Sequence, residues 1–318
     1  MLSAGRPESN GVPVPRPPRR GLHSRCREHG QCGPVSVNHY ENFPVASLLC
    51  PPALRPAVRA IYAYARTADD LADEGPAPAS TRLADLAAFE ADLVAVSAGQ
   101  APSPRWRAVF DPLADAIHRN ALPLPLLTDL LSAFRQDVVQ RAYADRAELL
   151  DYCRRSANPV GRLLLHLYGI GDAEALRQSD TICTALQLTN FWQDLSVDTK
   201  RSRLYIPLAD CARHGVGPAS LLTGDDRAET RALVADMVRW ARAMMLHGAP
   251  LVHRIGGRAG WELRLVMQGG LCILQRIEDL GFDSLHRRPT LGWRDAPRVA
   301  WRALTMGPQG RVTREEPA

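Results

Sequence analysis

The chain is almost without lysine: Lys200 is the single one, so 38 of its 39 basic residues are arginine. Aromatic residues are scarce, at 6% of 318, and neither charge dominates, with 39 basic against 34 acidic side chains. A surplus of five over this length does not make a nucleic-acid binder. No run of about 18 uncharged apolar residues occurs, so no transmembrane helix is expected. No apolar segment of signal-peptide type is found near the start. Seven cysteines, at 26, 32, 50, 153, 183, 211 and 272, are odd in number and irregular in spacing. That excludes a disulfide framework and fits reduced thiols and a cytoplasmic location. Strand signals are nearly missing, and no repeat of about 20–50 residues exists.

What is present is apolar periodicity. With 46% apolar residues the chain can bury a large core. Residues 1–34 stand apart, with six prolines, six arginines and five glycines, and read as a disordered basic arm. Inside it His23, Cys26, His29 and Cys32 recur every three residues, a spacing unlike a zinc finger. From residue 35 the pattern is helical almost throughout. Helices are expected over 51–73, 80–98, 104–119, 123–141, 145–169 with a break at Asn158-Pro159, 172–197, 226–249 and 258–280, and short turns over 201–224. The class is all-α, with one helical domain over 35–290 and a tail over 291–318.

Two acidic stripes carry the chemistry. In Arg66-Thr-Ala-Asp69-Asp70-Leu-Ala-Asp73-Glu74, the residues Tyr62, Arg66, Asp69 and Asp73 form one continuous face. Carboxylates stacked four residues apart repel by a few tenths of a kcal/mol, so a cation is expected there. Magnesium uses one or two carboxylates together with substrate phosphates. A second stripe sets Gln187, Asn190, Asp194 and Asp198 at helical spacing among Leu186, Leu188, Phe191 and Leu195. Such a polar face among bulky apolar neighbours points into a cavity. Lys200, Arg201, Arg203 and Tyr205 follow, and cations of this kind hold phosphates. Ionising an allylic or cyclopropylcarbinyl diphosphate needs positive charge at the leaving group and an apolar wall around the carbocation. Two acidic stripes in a helical bundle supply both.

With these motifs the chain resembles the squalene/phytoene synthase family over about residues 35–290. The first motif matches at Tyr62, Arg66, Asp69, Asp70 and Asp73, and the second at Gln187, Asn190, Asp194 and Asp198, continuing through Arg203, Tyr205 and Pro207. His39 resembles the family's N-terminal phosphate-contacting histidine, Gly161 its mid-chain Val-Gly, and Arg287 its late phosphate-binding arginine. The resemblance implies an isoprenoid-synthase-type helical bundle with a central apolar cavity and magnesium held by both motifs. Three strings look most like the hydroxysqualene synthase branch of hopanoid pathways: His39-Tyr-Glu-Asn-Phe-Pro-Val-Ala-Ser, Ser156-Ala-Asn-Pro-Val-Gly and Asn190-Phe-Trp-Gln-Asp. That branch takes presqualene diphosphate to hydroxysqualene without a nicotinamide cofactor.

Two departures stand out. Gln193 replaces an arginine common among relatives, and Gly270 stands where relatives often carry a tyrosine. The Gly269-Gly270 pair reads either as a notch admitting a water to the final cation or as close helix packing. Phe43, Phe191 and Trp192 are candidates for a hydrocarbon tunnel or for plain core. The tail from Arg287 to Trp301 mixes arginine with tryptophan, which fits either a peripheral membrane contact or docking on the bundle. Expected partners are the prenyl diphosphate, the inner face of the membrane and neighbouring pathway enzymes, with no nucleic acid. Two other readings remain at this point: a complete squalene or phytoene synthase acting on two prenyl diphosphates, and a non-catalytic prenyl-lipid-binding protein.

Overall fold

Proline lies in the first turn of five of the α-helices, where its missing N–H costs nothing. Two others start on aspartate caps: Asp145 accepts from the Glu148 N–H at 2.9 Å and Asp172 from the Ala175 N–H at 3.0 Å. In the computed structural model, which describes residues 50–307, these signals resolve into an all-helical chain. The arm over 1–34, with its histidine–cysteine series, and His39 and Phe43 lie outside the described residues.

The helices are α1 (Arg55–Asp73), α2 (Ala79–Ser97), α3 (Arg107–Asn120), α4 (Leu124–Val139), α5 (Arg146–Ser156), α6 (Asn158–Leu167) and α7 (Ala173–Gln193). They continue as α8 (Leu195–Asp198), α9 (Leu208–Arg213), α10 (Pro218–Leu222), α11 (Ala228–Gly248), α12 (Leu251–Arg254), α13 (Gly257–Asp279) and α14 (Ala296–Leu304). Among the described residues the sole β-type contact is an isolated parallel bridge, Ala142 to Leu204. It ties the chain after α4 to the loop after the second acidic motif.

Two apolar clusters build the bundle. One joins α1 to α4 around Tyr64, Phe89, Trp106 and Phe110, whose rings stack or meet edge to face. The other centres on α7, packed by α6, α11 and α13. Small residues permit that approach. A Cβ at Gly248 would lie 2.8 Å from the Gln178 carbonyl of α7 and 2.6 Å from Ile182 Cγ1, so only glycine lets α11 close on α7.

The tail is more ordered than its composition suggests. Residues 296–304 form α14, which buries Ala303, and Met306 just beyond it is buried with its sulfur 3.7 Å from Gln268 Nε2 of α13. Its tryptophans do not dock: Trp293 is 79% and Trp301 62% exposed. Among the described residues no helix is long and apolar enough to cross a membrane, and all five cysteines are buried and free.

Candidate active site

The first motif occupies the C-terminal half of α1 and faces a cavity of about 290 Å³. Tyr62, Arg66 and Asp69 form part of that cavity's polar wall; Ile61, Phe134, Leu164, Ile182, Leu263 and Val266 are among its apolar walls. Arg66 Nη1 donates to Asp69 Oδ2 at 3.3 Å, and Nη2 lies 2.7 Å from Asp70 Oδ1 and 3.0 Å from Glu74 Oε1. One guanidinium is thus shared by three carboxylates. The Asp69 side chain lines that cavity, where the surrounding protein desolvates its carboxyl. That desolvation, with Asp73 adding repulsion, pushes its carboxyl up to about 7 although Arg66 opposes the shift.

Asp73, one turn on, faces a distant partner. Arg203 grips it in a two-pronged pair, with Nη1 2.7 Å from Oδ2 and Nη2 on Oδ1. Arg203 is only 11% exposed, and its N–H bonds the Asp198 carbonyl at 2.9 Å. The first motif is therefore joined to the end of the second through one arginine. Asp198 is pushed up to about 7, first by burial and then by Asp194, against Arg203 and Arg201.

The second motif departs from an unbroken ladder. Helix α7 ends at Gln193, Asp194 bends, and α8 resumes at Leu195. The reason lies across the fold: the Ser196 N–H bonds the Ser284 carbonyl at 3.1 Å instead of a carbonyl of α7. Asp194 N–H still bonds the Asn190 carbonyl at 2.9 Å, and Asp198 N–H the Asp194 carbonyl at 2.9 Å, so all three residues keep their order along the motif. Gln187 and Asn190 are half-buried in the last turns of α7. None of these residues lines the apolar cavity, contrary to expectation; the motif reaches the first one through Arg203.

Arg287, Gln193 and Gly270 each meet neighbours that the sequence does not show. Arg287 turns to Asp283 (3.0 Å), its partner four residues earlier, and it is Arg288 that reaches the motif, with Nε 2.5 Å from Asp194 Oδ1 and Nη2 3.2 Å from Oδ2. Gln193, in place of an arginine, donates Nε2 to the Pro289 carbonyl at 2.7 Å and so anchors the segment that carries Arg288. At Gly270 the contacts support close helix packing, the second of the two readings. A Cβ there would lie 2.9 Å from Leu186 Cδ2 and 2.9 Å from Met245 Cε, so α13, α7 and α11 close on it. Phe191 and Trp192 are core residues. Tyr205 stacks on Phe191 with ring centres 3.8 Å apart, which fixes the loop after the motif.

Gly161 is at the cavity wall for a steric reason: a Cβ would lie 2.5 Å from both Ser179 Oγ and Cys183 Sγ of α7. Sequence reasoning missed Asp137 of α4 and Tyr152 of α5. Asp137 is buried beneath the junction of the motifs, accepting from Tyr152 Oη at 2.6 Å and Tyr205 Oη at 3.5 Å, with burial pushing it up to about 7. A lone aspartate on a helix carries no spacing signal; the adjacency of Tyr152 to it is tertiary.

The arrangement concentrates carboxylates beyond what its arginines neutralise. Asp69, Asp137 and Asp198 are each pushed up to about 7, first by burial, with a neighbouring carboxylate adding to the shift and an arginine opposing it. The donors are oxygen throughout, the ligand type of a hard divalent cation. A site of this kind, at the polar end of an apolar cavity, can bind a diphosphate head group through a cation while sheltering a hydrocarbon chain.

Residues 37–295 match the family model for squalene/phytoene synthase. A hydroxysqualene synthase from Sinorhizobium fredii is 31% identical over 226 residues, covering 70% of this chain and 75% of its own. A phytoene synthase from Thermus thermophilus is 33% identical, covering 80% and 84%. A crystal structure of squalene synthase HpnC from Alicyclobacillus acidocaldarius superposes with a TM-score of 0.70 at 37% identity, covering 77% of this chain and 90% of that one.

Proposed function

The chain belongs to the squalene/phytoene synthase family, and on that premise we propose that it ionises presqualene diphosphate with magnesium and captures water to give hydroxysqualene. The observation that carries this reading is the placement of Asp69, its carboxyl raised by burial, at the polar end of an apolar cavity and one helical turn from the Asp73–Arg203 pair that leads to the second motif. The likeness to hydroxysqualene synthases supports the choice of branch.

Asp69, Asp73, Asn190, Asp194 and Asp198 would hold magnesium, with Asp70 beside them; the ion supplies charge stabilisation to the departing diphosphate. Arg66, Arg203 and Arg288 bring guanidinium groups to the same carboxylates and orient them. The C–O bond of the substrate breaks heterolytically, and both electrons leave with the diphosphate. The apolar walls keep bulk water from the cation, so capture is by a water admitted at one place. Its oxygen forms the new C–O bond and its proton passes to the released pyrophosphate or to solvent. Tyr205 and Asp137 hold the loop that carries Arg203. The outward tryptophans Trp293 and Trp301, with Arg294 and Arg298 beside them, fit a peripheral contact with an anionic membrane surface.

Incubation with presqualene diphosphate and, separately, farnesyl diphosphate tests the branch. Hydroxysqualene from the first, with no turnover of the second, is expected. Consumption of farnesyl diphosphate alone would show a complete head-to-head synthase instead.

A further inference from the structure

A second cavity, of about 300 Å³, adjoins Asp73 and shares no lining residue with the apolar one. Four arginines face it, Arg82, Arg141, Arg201 and Arg203, against a single carboxylate, Asp73. They come from α2, the chain after α4 and the loop after α8, so the cluster is tertiary rather than a run of sequence.

Arg203 is paired with Asp73, and the other three arginines bring charge that this one carboxylate does not match. Arg82 donates to three neutral carbonyls, Ala72 and Gly75 at 2.6 Å each and Ala77 at 2.9 Å, so its cation is fixed in position without a counter-ion. Arg203 spends its terminal nitrogens on Asp73, while its Nε is buried without a hydrogen-bond partner among the described residues. Arg201 is largely exposed and comes no nearer to Asp73 than 3.9 Å. The Arg141 guanidinium makes no ion pair or hydrogen bond among the described residues, though its backbone carbonyl is pinned by the Leu204 N–H at 2.8 Å. Guanidinium groups gathered against one carboxylate repel one another, and a compact polyanion with several oxygens relieves that repulsion through paired N–H donors. A carboxylate ligand would offer too little charge, and a hydrocarbon would find polar walls.

We propose that this pocket binds inorganic pyrophosphate, the released product, through its arginines without a divalent ion, next to the site between the two acidic motifs, with which it shares Asp73 and Arg203. The inference rests on the diphosphate chemistry proposed above. It places a resting point for the leaving group directly beyond Asp73, on the side of that residue that Arg203, Arg201 and Arg82 surround.

Calorimetric titration of the full chain with sodium pyrophosphate in EDTA tests it. One binding site is expected, weakened by salt, with orthophosphate about tenfold weaker or more. Arg141→Gln and Arg201→Gln, both at exposed side chains and checked for an unchanged melting temperature, should each weaken pyrophosphate by about tenfold. Unchanged affinity in both variants, or no binding at all, would overturn the proposal. Farnesyl thiodiphosphate, which does not ionise readily, separates free pyrophosphate from a substrate head group. If it displaces pyrophosphate and loses affinity equally in Arg141→Gln, the pocket serves substrate and the assignment to the released anion is wrong. Asp69→Asn separates the two readings: it should lose turnover yet keep metal-free pyrophosphate binding, so failure of either reading is seen by itself.

Discussion

The two acidic motifs solve one electrostatic problem with different means. The first lies on an unbroken helix and carries its own cation: Arg66, one turn before Asp69, is shared among Asp69, Asp70 and Glu74. The second is bent at Asp194 and takes its cation from far along the chain, as Arg288 reaches back to Asp194. In each motif one carboxylate is clasped by a remote arginine (Asp73 by Arg203, Asp194 by Arg288), and one is left pushed up to about 7 (Asp69, Asp198). Of these four carboxylates the fold thus clasps two in place and leaves two raised by burial, where a cation would complete them.

Removing the unmatched pair should do the most damage. Asp69→Ala and Asp198→Ala should each lower turnover by about a thousandfold or more, measured as pyrophosphate release from presqualene diphosphate. A residual rate near wild type for either would mean that its motif is idle.

The clasping arginines should separate from one another. Arg203 is 11% exposed and Arg288 43%. Arg203→Ala leaves Asp73 partly buried and unpaired, and should destabilise the fold by roughly 2–4 kcal/mol as well as slow turnover. Arg288→Ala should slow turnover by about tenfold with a stability change below about 1 kcal/mol. Thermal melts beside initial rates check both, and equal melting temperatures for the two variants would contradict the difference in burial.

Gly270→Leu probes the contact of α13 with α7 and α11. Leu186 and Met245 must move, so a loss of about 1–3 kcal/mol is expected with the product unchanged. A shift in product identity would restore the idea of a water notch.

The smallest effect is a pH dependence. The Asp137 carboxyl is raised in the folded state, so its contribution to stability is present below its unfolded value near 4 and is lost as pH rises through about 7. Asp137→Asn should therefore melt a few degrees above wild type at pH 8 and together with it near pH 4. A gap of equal size at both pH values would show that packing, not ionisation, separates them.

Much of this architecture was legible in the sequence. The long helices α1 to α7, α11 and α13 announce themselves by apolar period, and the break at Asn158-Pro159 separates α5 from α6 as proline chemistry requires. Helix α14 was not legible: nine residues of mixed arginine and tryptophan hold no helix alone and form one by packing Ala303 on α13. In the site, Tyr62, Arg66, Asp69 and Asp73 were readable because they share one helical face. The partners that tune them were not, since Arg203 and Asp73 are 130 residues apart, Asp194 and Arg288 are 94 apart, and Asp137 has no acidic neighbour at helical spacing. The bend at Asp194 was equally hidden, because it depends on a carbonyl at Ser284.

Whether the two motifs act as one unit is decided by a double-mutant cycle on magnesium binding in the presence of saturating pyrophosphate. Wild type, Asp69→Asn, Asp198→Asn and the double variant are titrated by calorimetry. A shared site predicts losses in the single variants that each nearly equal the loss in the double. Losses that add independently would mean two separate acidic patches and would contradict the joint grip on one metal-bound diphosphate.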